Sequence, residues 1–182
     1  MTEQQLVGGL INQNKGAIEC LVNKYQKNVI KTAFYFVANL EDAEDLSQEV
    51  FLEIIKSINR YQKKASLHTW IYRITVNKSL DHLRRQKNRS ILQTVGSLLK
   101  GSSDGGDRDQ YEHTTIDTRN EDKEKRKILD TAINSLPENQ KIAFILSKYE
   151  DLSYKVIAEI MNLSISSVES LIHRAKLNLK RN

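Results

Sequence analysis

Between Arg73 and Arg89 the chain carries Arg73, Lys78, Arg84, Arg85, Lys87 and Arg89 against one acid, Asp81. Aromatic residues stand just upstream, at Tyr61, Trp70 and Tyr72. Cations at this density track a phosphate backbone, and aromatic rings stack on bases that have left a duplex. The plainer alternative is a solvated basic face. For Trp70 and Tyr72, core packing and DNA contact both stay open, whereas the basic run favours nucleic acid. A second set lies near the C-terminus: Ser166, Ser167, Glu169, Ser170, His173, Arg174 and Lys176, with Lys180 and Arg181 beyond. Small hydroxyl side chains let a helix approach duplex DNA closely. Arginine pairs with guanine or phosphate, and a carboxylate such as Glu169 accepts from a cytosine amino group. The third set is acidic: Glu41, Asp42, Glu44, Asp45, Glu49 and Glu53. DNA would repel it. These carboxylates do not converge on one point and no histidine joins them, so a basic protein partner or solvent suits them better than a metal.

No catalytic, cofactor or metal site is expected. Cys20 lies beside Leu21 and Val22 on an amphipathic stretch, which reads as a buried thiol, and a lone cysteine excludes a disulfide framework. His68, His82, His113 and His173 lack ligand spacing, and there is no glycine-rich phosphate loop. The segment Met1 to Gln5 lacks the basic and apolar parts of a signal peptide. No apolar run approaches the ~20 residues of a membrane span. The expected location is the cytoplasm, without membrane insertion.

Rigid helices must hold these sets in place. One proline and seven glycines in 182 residues, with 39% apolar and 28% charged side chains, point to a soluble all-α chain. From Ile18 to Val37 apolar residues recur at helical spacing. Asn39 suits the cap of a second helix that buries Leu46, Val50, Phe51, Ile54, Ile55 and Ile58, its acidic side chains at the positive end. After a polar break from Asn59 to Ala65, Ser66 suits the cap of a third helix carrying Leu67, Trp70, Ile71, Ile74, Leu80 and Leu83. Pro137 fits a helix's first turn. A short helix from Tyr154 to Met161, the turn Asn162-Leu163-Ser164 and a longer helix burying Val168, Leu171, Ile172 and Ala175 form a helix-turn-helix. Its second helix would enter the major groove; the bland alternative is a solvated amphipathic pair.

Charge divides the chain. Residues 1–95 carry net +5, residues 96–124 net −4 and residues 125–182 net +4. The middle segment also holds four glycines and little that is apolar. The expected organisation is two small helical domains, 1–92 and 125–182, joined by a flexible acidic linker, 93–124.

These pieces acquire a common meaning at Asp42-Ala43-Glu44-Asp45-Leu46-Ser47-Gln48-Glu49-Val50-Phe51. That segment resembles the polymerase-binding part of region two of bacterial RNA polymerase sigma factors, specifically the small extracytoplasmic-function (ECF) subfamily. Thr69-Trp70-Ile71-Tyr72-Arg73-Ile74-Thr75-Val76-Asn77, followed by Asp81, Leu83 and Arg84, resembles the promoter-melting helix of that domain. Leu136-Pro137 and the helix-turn-helix through Leu171-Ile172-His173-Arg174-Ala175-Lys176 resemble region four. Val156, Glu169 and Leu171 depart from common residues there, which bears on the duplex sequence read rather than on the fold.

The resemblance implies a transcription initiation factor that performs no chemistry itself. Its partners would be core RNA polymerase and promoter DNA, both as duplex and as melted non-template strand, with an anti-sigma protein as a further candidate. Asp42, Asp45, Leu46, Gln48, Glu49 and Phe51 would face polymerase. Arg60, Tyr61, Lys63, Lys64 and Trp70 would meet the minus-ten element, the loop from Arg60 to Ala65 walling a flipped base. Arg73, Asn77, Lys78, Asp81, Arg84 and Arg85 would continue that surface. Ser166, Ser167, Glu169, Ser170, His173, Arg174 and Lys176 would face the minus-thirty-five duplex. The two elements lie about 70 Å apart, at ~34–36 Å per helical turn. A relaxed linker spans only ~30 Å, so polymerase would hold the domains apart. The main alternative is a helix-turn-helix regulator that does not bind core polymerase; it leaves the basic aromatic helix unexplained.

Overall fold

A computed structural model of the chain describes residues 1–99 and 128–181, with side chains for 1–92 and 128–181. Among these residues every regular element is helical. The first helix, α1 (Glu3–Ile11), is fixed by a reciprocal cap: Thr2 accepts from the Gln5 N–H and the Gln5 side chain accepts from the Thr2 N–H. α2 (Lys15–Val37) starts at Asn14, whose side chain accepts from the Ala17 N–H. The two helices touch at Gly9, where a β-carbon would lie 2.6 Å from Ala17 Cβ, so this contact requires glycine. α2 ends at Ala38 in the left-handed conformation, φ 58°.

α3 (Leu40–Ser57) begins as expected, with the Asn39 side chain accepting from the Asp42 N–H. A 3-10 turn, Ile58–Arg60, leads to the loop before α4 (Leu67–Leu99). Ser66 Oγ accepts from the Thr69 N–H at 3.1 Å, again the expected cap. α4 continues through residues 93–99, which were expected as linker. No proline interrupts that stretch, and one glycine, Gly96, costs only about 1 kcal/mol in a helix interior. Residues 100–124, the rest of the expected linker, lie outside the described residues.

The C-terminal block contains α5 (128–134), α6 (Glu138–Lys148), α7 (Tyr154–Met161) and α8 (Ile165–Arg181). Pro137 is the residue before α6 rather than inside its first turn. Asn162, with φ 54°, ends α7, and Ser164 Oγ accepts from the Ser167 N–H at 3.2 Å to start α8.

Two apolar clusters hold these helices. One lies within α1 to α4 and includes Leu6, Leu10, Leu21, Ile54, Ile58 and Leu67. The other joins the two blocks: Phe36, Val37, Leu46, Tyr72, Val76 and Leu80 pack with Ile142, Leu146, Ile157 and Ile160. The two blocks therefore share a core. The cause lies on α4. Tyr72, Val76 and Leu80 recur every fourth residue, a helical stripe that belongs to the joint cluster and not to the first one. α6 and α7 supply its cover.

Three of the polar contacts across this junction share one design. Arg73 of α4 donates to the carbonyls of Ile160 (3.3 Å) and Glu159 at the end of α7. Lys31 of α2 donates to the Tyr149 carbonyl that closes α6 (2.9 Å). Lys141 of α6 donates to the Phe36 carbonyl in the last turn of α2 (3.0 Å), and to Asn134 Oδ1 (2.7 Å). Each cation thus satisfies carbonyls that a helix end leaves unpaired and meets the negative end of its dipole. Tyr72 adds a hydrogen bond to Glu150 Oε2 at 2.8 Å.

Candidate nucleic-acid interface

The helix-turn-helix presents its expected face to solvent. Ser166, Glu169, Ser170, His173, Arg174 and Lys176 are exposed on α8, and Ser167 is half-buried at the cap. Val168, Ile172 and Ala175 face inward. The Ser170 hydroxyl donates to the Ser166 carbonyl at 2.9 Å, so it offers its oxygen outward as an acceptor. This surface is free in the packed arrangement of the two blocks.

The loop before α4 is shaped around a cavity of about 440 Å³, lined by Tyr61, Lys63, Lys64, Ser66, Glu3 and Glu159 among others. Lys63 adopts φ 56°, a left-handed turn that swings the chain around the cavity. The Tyr61 ring lies 5.3 Å from Trp70, tilted by 43°. Trp70 does not line the cavity; it is half-buried against the first cluster and backs Tyr61. Tyr72 is 5% exposed and belongs to the joint core, which settles its open placement in this packed state. Burial, reinforced by the nearby Glu3 carboxylate, pushes the Tyr61 hydroxyl up to about 12, so it is a neutral donor at physiological pH.

The remaining minus-ten candidates divide into two groups. Arg73, Asn77, Asp81 and Arg84 line one cleft of about 350 Å³ that α6 and α7 close with Glu138 and Ile160. Arg84 pairs with Glu138 at 2.6 Å and with Asp81 at 3.3 Å, and Glu138 raises its pKa further. Lys78 points elsewhere and pairs with Glu53 of α3 at 3.4 Å. Arg60, Arg85, Lys87 and Arg89 are exposed. The basic run is therefore continuous along the helix but not equally accessible. Its first arginine is occupied by the helix-turn-helix block.

On α3, Leu46 is 1% and Phe51 7% exposed. Both belong to the cores, Leu46 to the joint cluster and Phe51 to the N-terminal one, so neither side chain is on the exposed face of α3 in this packed arrangement. Asp42 Oδ2 stands 3.7 Å from His82 Nε2, close enough to pair with the imidazole when it is protonated. Asp45, Gln48 and Glu49 are exposed, and Leu52, 56% exposed, joins them at helical spacing. Leu52 was not among the sequence candidates. Its signal was available: a leucine seven positions after Asp45 on an otherwise polar face. Glu3, Glu138 and Glu150 were missed as well, because their partners lie 54 to 78 residues away in sequence.

Residues 21–89 match Sigma-70 region 2, and residues 126–179 match Sigma-70, region 4. The ECF RNA polymerase sigma-E factor of Haemophilus influenzae is 33% identical over 180 residues, covering 97% of this chain and 92% of the relative. The RNA polymerase sigma-H factor of Pseudomonas aeruginosa is 29% identical over 178 residues, covering 96% and 90%. Among solved structures, CnrH in complex with the cytosolic domain of CnrY superposes with a TM-score of 0.68 at 17% identity, over 98% of this chain and 95% of that one. The sigma factor RpoE in complex with the anti-sigma factor NepR from Bartonella quintana gives 0.61 at 18%, over 90% and 94%. These two share the fold. A regulator that ignores polymerase is not favoured by this pattern of matches. With both sigma regions in order along one chain, and a sigma-E relative at 33% identity over nearly its whole length, the protein belongs to the ECF family of RNA polymerase sigma factors.

Proposed function

We propose that the exposed face Asp45, Gln48, Glu49 and Leu52 docks on core polymerase in the cytoplasm, and that α8 reads the minus-thirty-five duplex through Ser166, Glu169, Ser170, His173 and Arg174. The loop from Arg60 to Ala65 takes a flipped non-template base against Tyr61, while Arg73, Arg84 and Arg85 follow the phosphates. Asn77 and Asp81 sit at the upstream edge of the melted region. An anti-sigma protein is a further candidate partner.

The observation that carries this reading is the occupation of Arg73 by α7 beside an exposed α8. Both DNA surfaces cannot serve a promoter while they share one core, because the elements they read lie about 70 Å apart. Separation must precede promoter binding, and a polymerase bound to α3 supplies the frame. Extruding a base costs a few kcal/mol and stacking returns ~1–3 kcal/mol. One captured base therefore offsets its own extrusion, and further melting draws on polymerase.

The test is initiation in vitro with purified core polymerase on a promoter library, with permanganate footprinting of open DNA. Transcripts and reactive thymines are expected only when protein and polymerase are combined. Promoter opening by the protein alone would overturn the account.

A further inference from the structure

The N-terminal helix lies outside the segment that matches Sigma-70 region 2, yet it reaches the base cavity. Glu3, in the first turn of α1, places Oε1 3.0 Å from the Tyr61 hydroxyl and 3.2 Å from the Leu67 N–H. The first bond anchors the ring that walls the cavity. The second satisfies an orphan N–H at the start of α4, where a carboxylate also meets the positive end of the helix dipole. Tyr61 Oη is also 2.8 Å from the Ala65 carbonyl at the other end of the same loop. The hydroxyl has one proton for two acceptors, so the carboxylate and the loop carbonyl hold it jointly. Gly9, against Ala17, clamps α1 on α2 and so fixes where Glu3 stands.

We infer that Glu3 is a positioning residue of the minus-ten reader: it ties Tyr61 to the start of α4, so that the cavity holds one shape and admits an extruded nucleobase against the Tyr61 ring. Lys63 and Lys64 at its edge suit the attached phosphate, and Glu159 of α7, which walls one side in the packed arrangement, leaves with its block before DNA binds. The ring must be immobile before the base arrives, because every rotamer frozen on binding reduces the stacking gain. A side-chain bond from another helix supplies that rigidity. Trp70 supports the ring from behind but has no bond to its hydroxyl.

This inference rests on the reading that the loop captures a minus-ten base, and the test separates the two. The full chain is combined with core polymerase and offered fork-junction DNA whose single-stranded non-template minus-ten segment is randomised. Bound strands are then sequenced. The wild type should enrich one base at one position. Glu3→Ala should reduce that enrichment roughly tenfold, within the range of one base–aromatic stack. Glu3→Gln, which keeps an acceptor oxygen, should restore it. Polymerase affinity and minus-thirty-five duplex binding should match wild type in both, which a merely loosened fold would not allow. Tyr61→Phe should reproduce the Glu3→Ala loss, and the double variant should be no worse than either single one.

If Tyr61→Ala leaves the enrichment intact, the loop does not capture a base, and the reading beneath the inference is wrong. Should Tyr61→Ala abolish enrichment while Glu3→Ala resembles wild type, the base pocket stands and the role of Glu3 is overturned.

Discussion

Tyr72→Phe should open the packed arrangement while leaving both blocks folded. The Glu150 side chain is 4% exposed. Tyr72 donates to its Oε2 at 2.8 Å, while Oε1 has no hydrogen bond and only the half-exposed Lys31 ammonium at 3.7 Å. Removing one hydroxyl thus leaves a buried carboxylate without a hydrogen-bond donor, at a cost of about 1.5–3 kcal/mol for a bond to a charged group. The ring remains in the core, so packing is kept. Residues 72 and 150 meet only when the blocks are together, and water hydrates both once they part. The cost therefore falls on the closed form alone. At about 1.4 kcal/mol per factor of ten, the open population should rise roughly 10- to 150-fold relative to the closed one. The assay is energy transfer between dyes at Glu44→Cys and Leu177→Cys in a Cys20→Ser background. Apparent affinity of the unlabelled protein for minus-ten fork DNA, which needs Arg73 released from α7, should rise with the open fraction, by up to the same factor while that fraction is small. A dye-distance distribution identical to wild type would refute the reasoning. So would a shifted distribution with unchanged fork-DNA affinity.

Burial pushes the Lys141 ammonium down to about 8, against the pull of the Asp130 charge, so the folded protein binds fewer protons than the unfolded chain from about pH 8 to 10.5. Stability must then rise through that window, by about 1.5 kcal/mol between pH 8 and 9.5, and denaturant melts of Lys141→Met should lack the rise. On α3, Leu52→Asp, or Asp45→Lys with Glu49→Lys, should weaken polymerase binding ~10-fold or more, while these exposed sites leave the circular-dichroism melt within about 0.5 kcal/mol. Retained binding would move the docking surface elsewhere. Arg174→Ala should lower affinity for minus-thirty-five duplex and reduce the log–log salt slope by about 1; a wild-type slope would mean that Arg174 meets no phosphate.

Helix starts and stops were legible because single side chains decide them locally. Asn39 and Ser66 cap as read, and Asn162 and Ser164 bound the turn expected between the last two helices. The α8 face was legible because amphipathic spacing separates Val168, Ile172 and Ala175 from the exposed set. α1 escaped because Gly8 and Gly9 interrupt its apolar residues Leu6, Val7, Leu10 and Ile11, although Thr2 with Gln5 spelled its reciprocal cap. Leu46 and Phe51 were read both as core and as polymerase contacts, and in the packed arrangement they are core. A motif groups residues by their order along the chain, while a helix sends neighbours to different sides. The shared core was the least legible feature. The apolar stripe at Tyr72, Val76 and Leu80 declares that something must cover α4, but not which element does so. Glu150, Lys141 and Arg73 each find partners across large sequence separations that no local pattern encodes.

Three of the cations that cross the junction divide its vulnerability unequally. Arg73, Lys31 and Lys141 all end on main-chain oxygens, those of Ile160, Tyr149 and Phe36. A peptide oxygen survives every replacement of the side chain beside it. Variation at the receiving positions changes their packing and spares these bonds, whereas one codon change at a donor deletes a bond outright. A genetic screen for variants that come apart too readily should therefore recover hits at the three donors far more often than at the three positions that receive them.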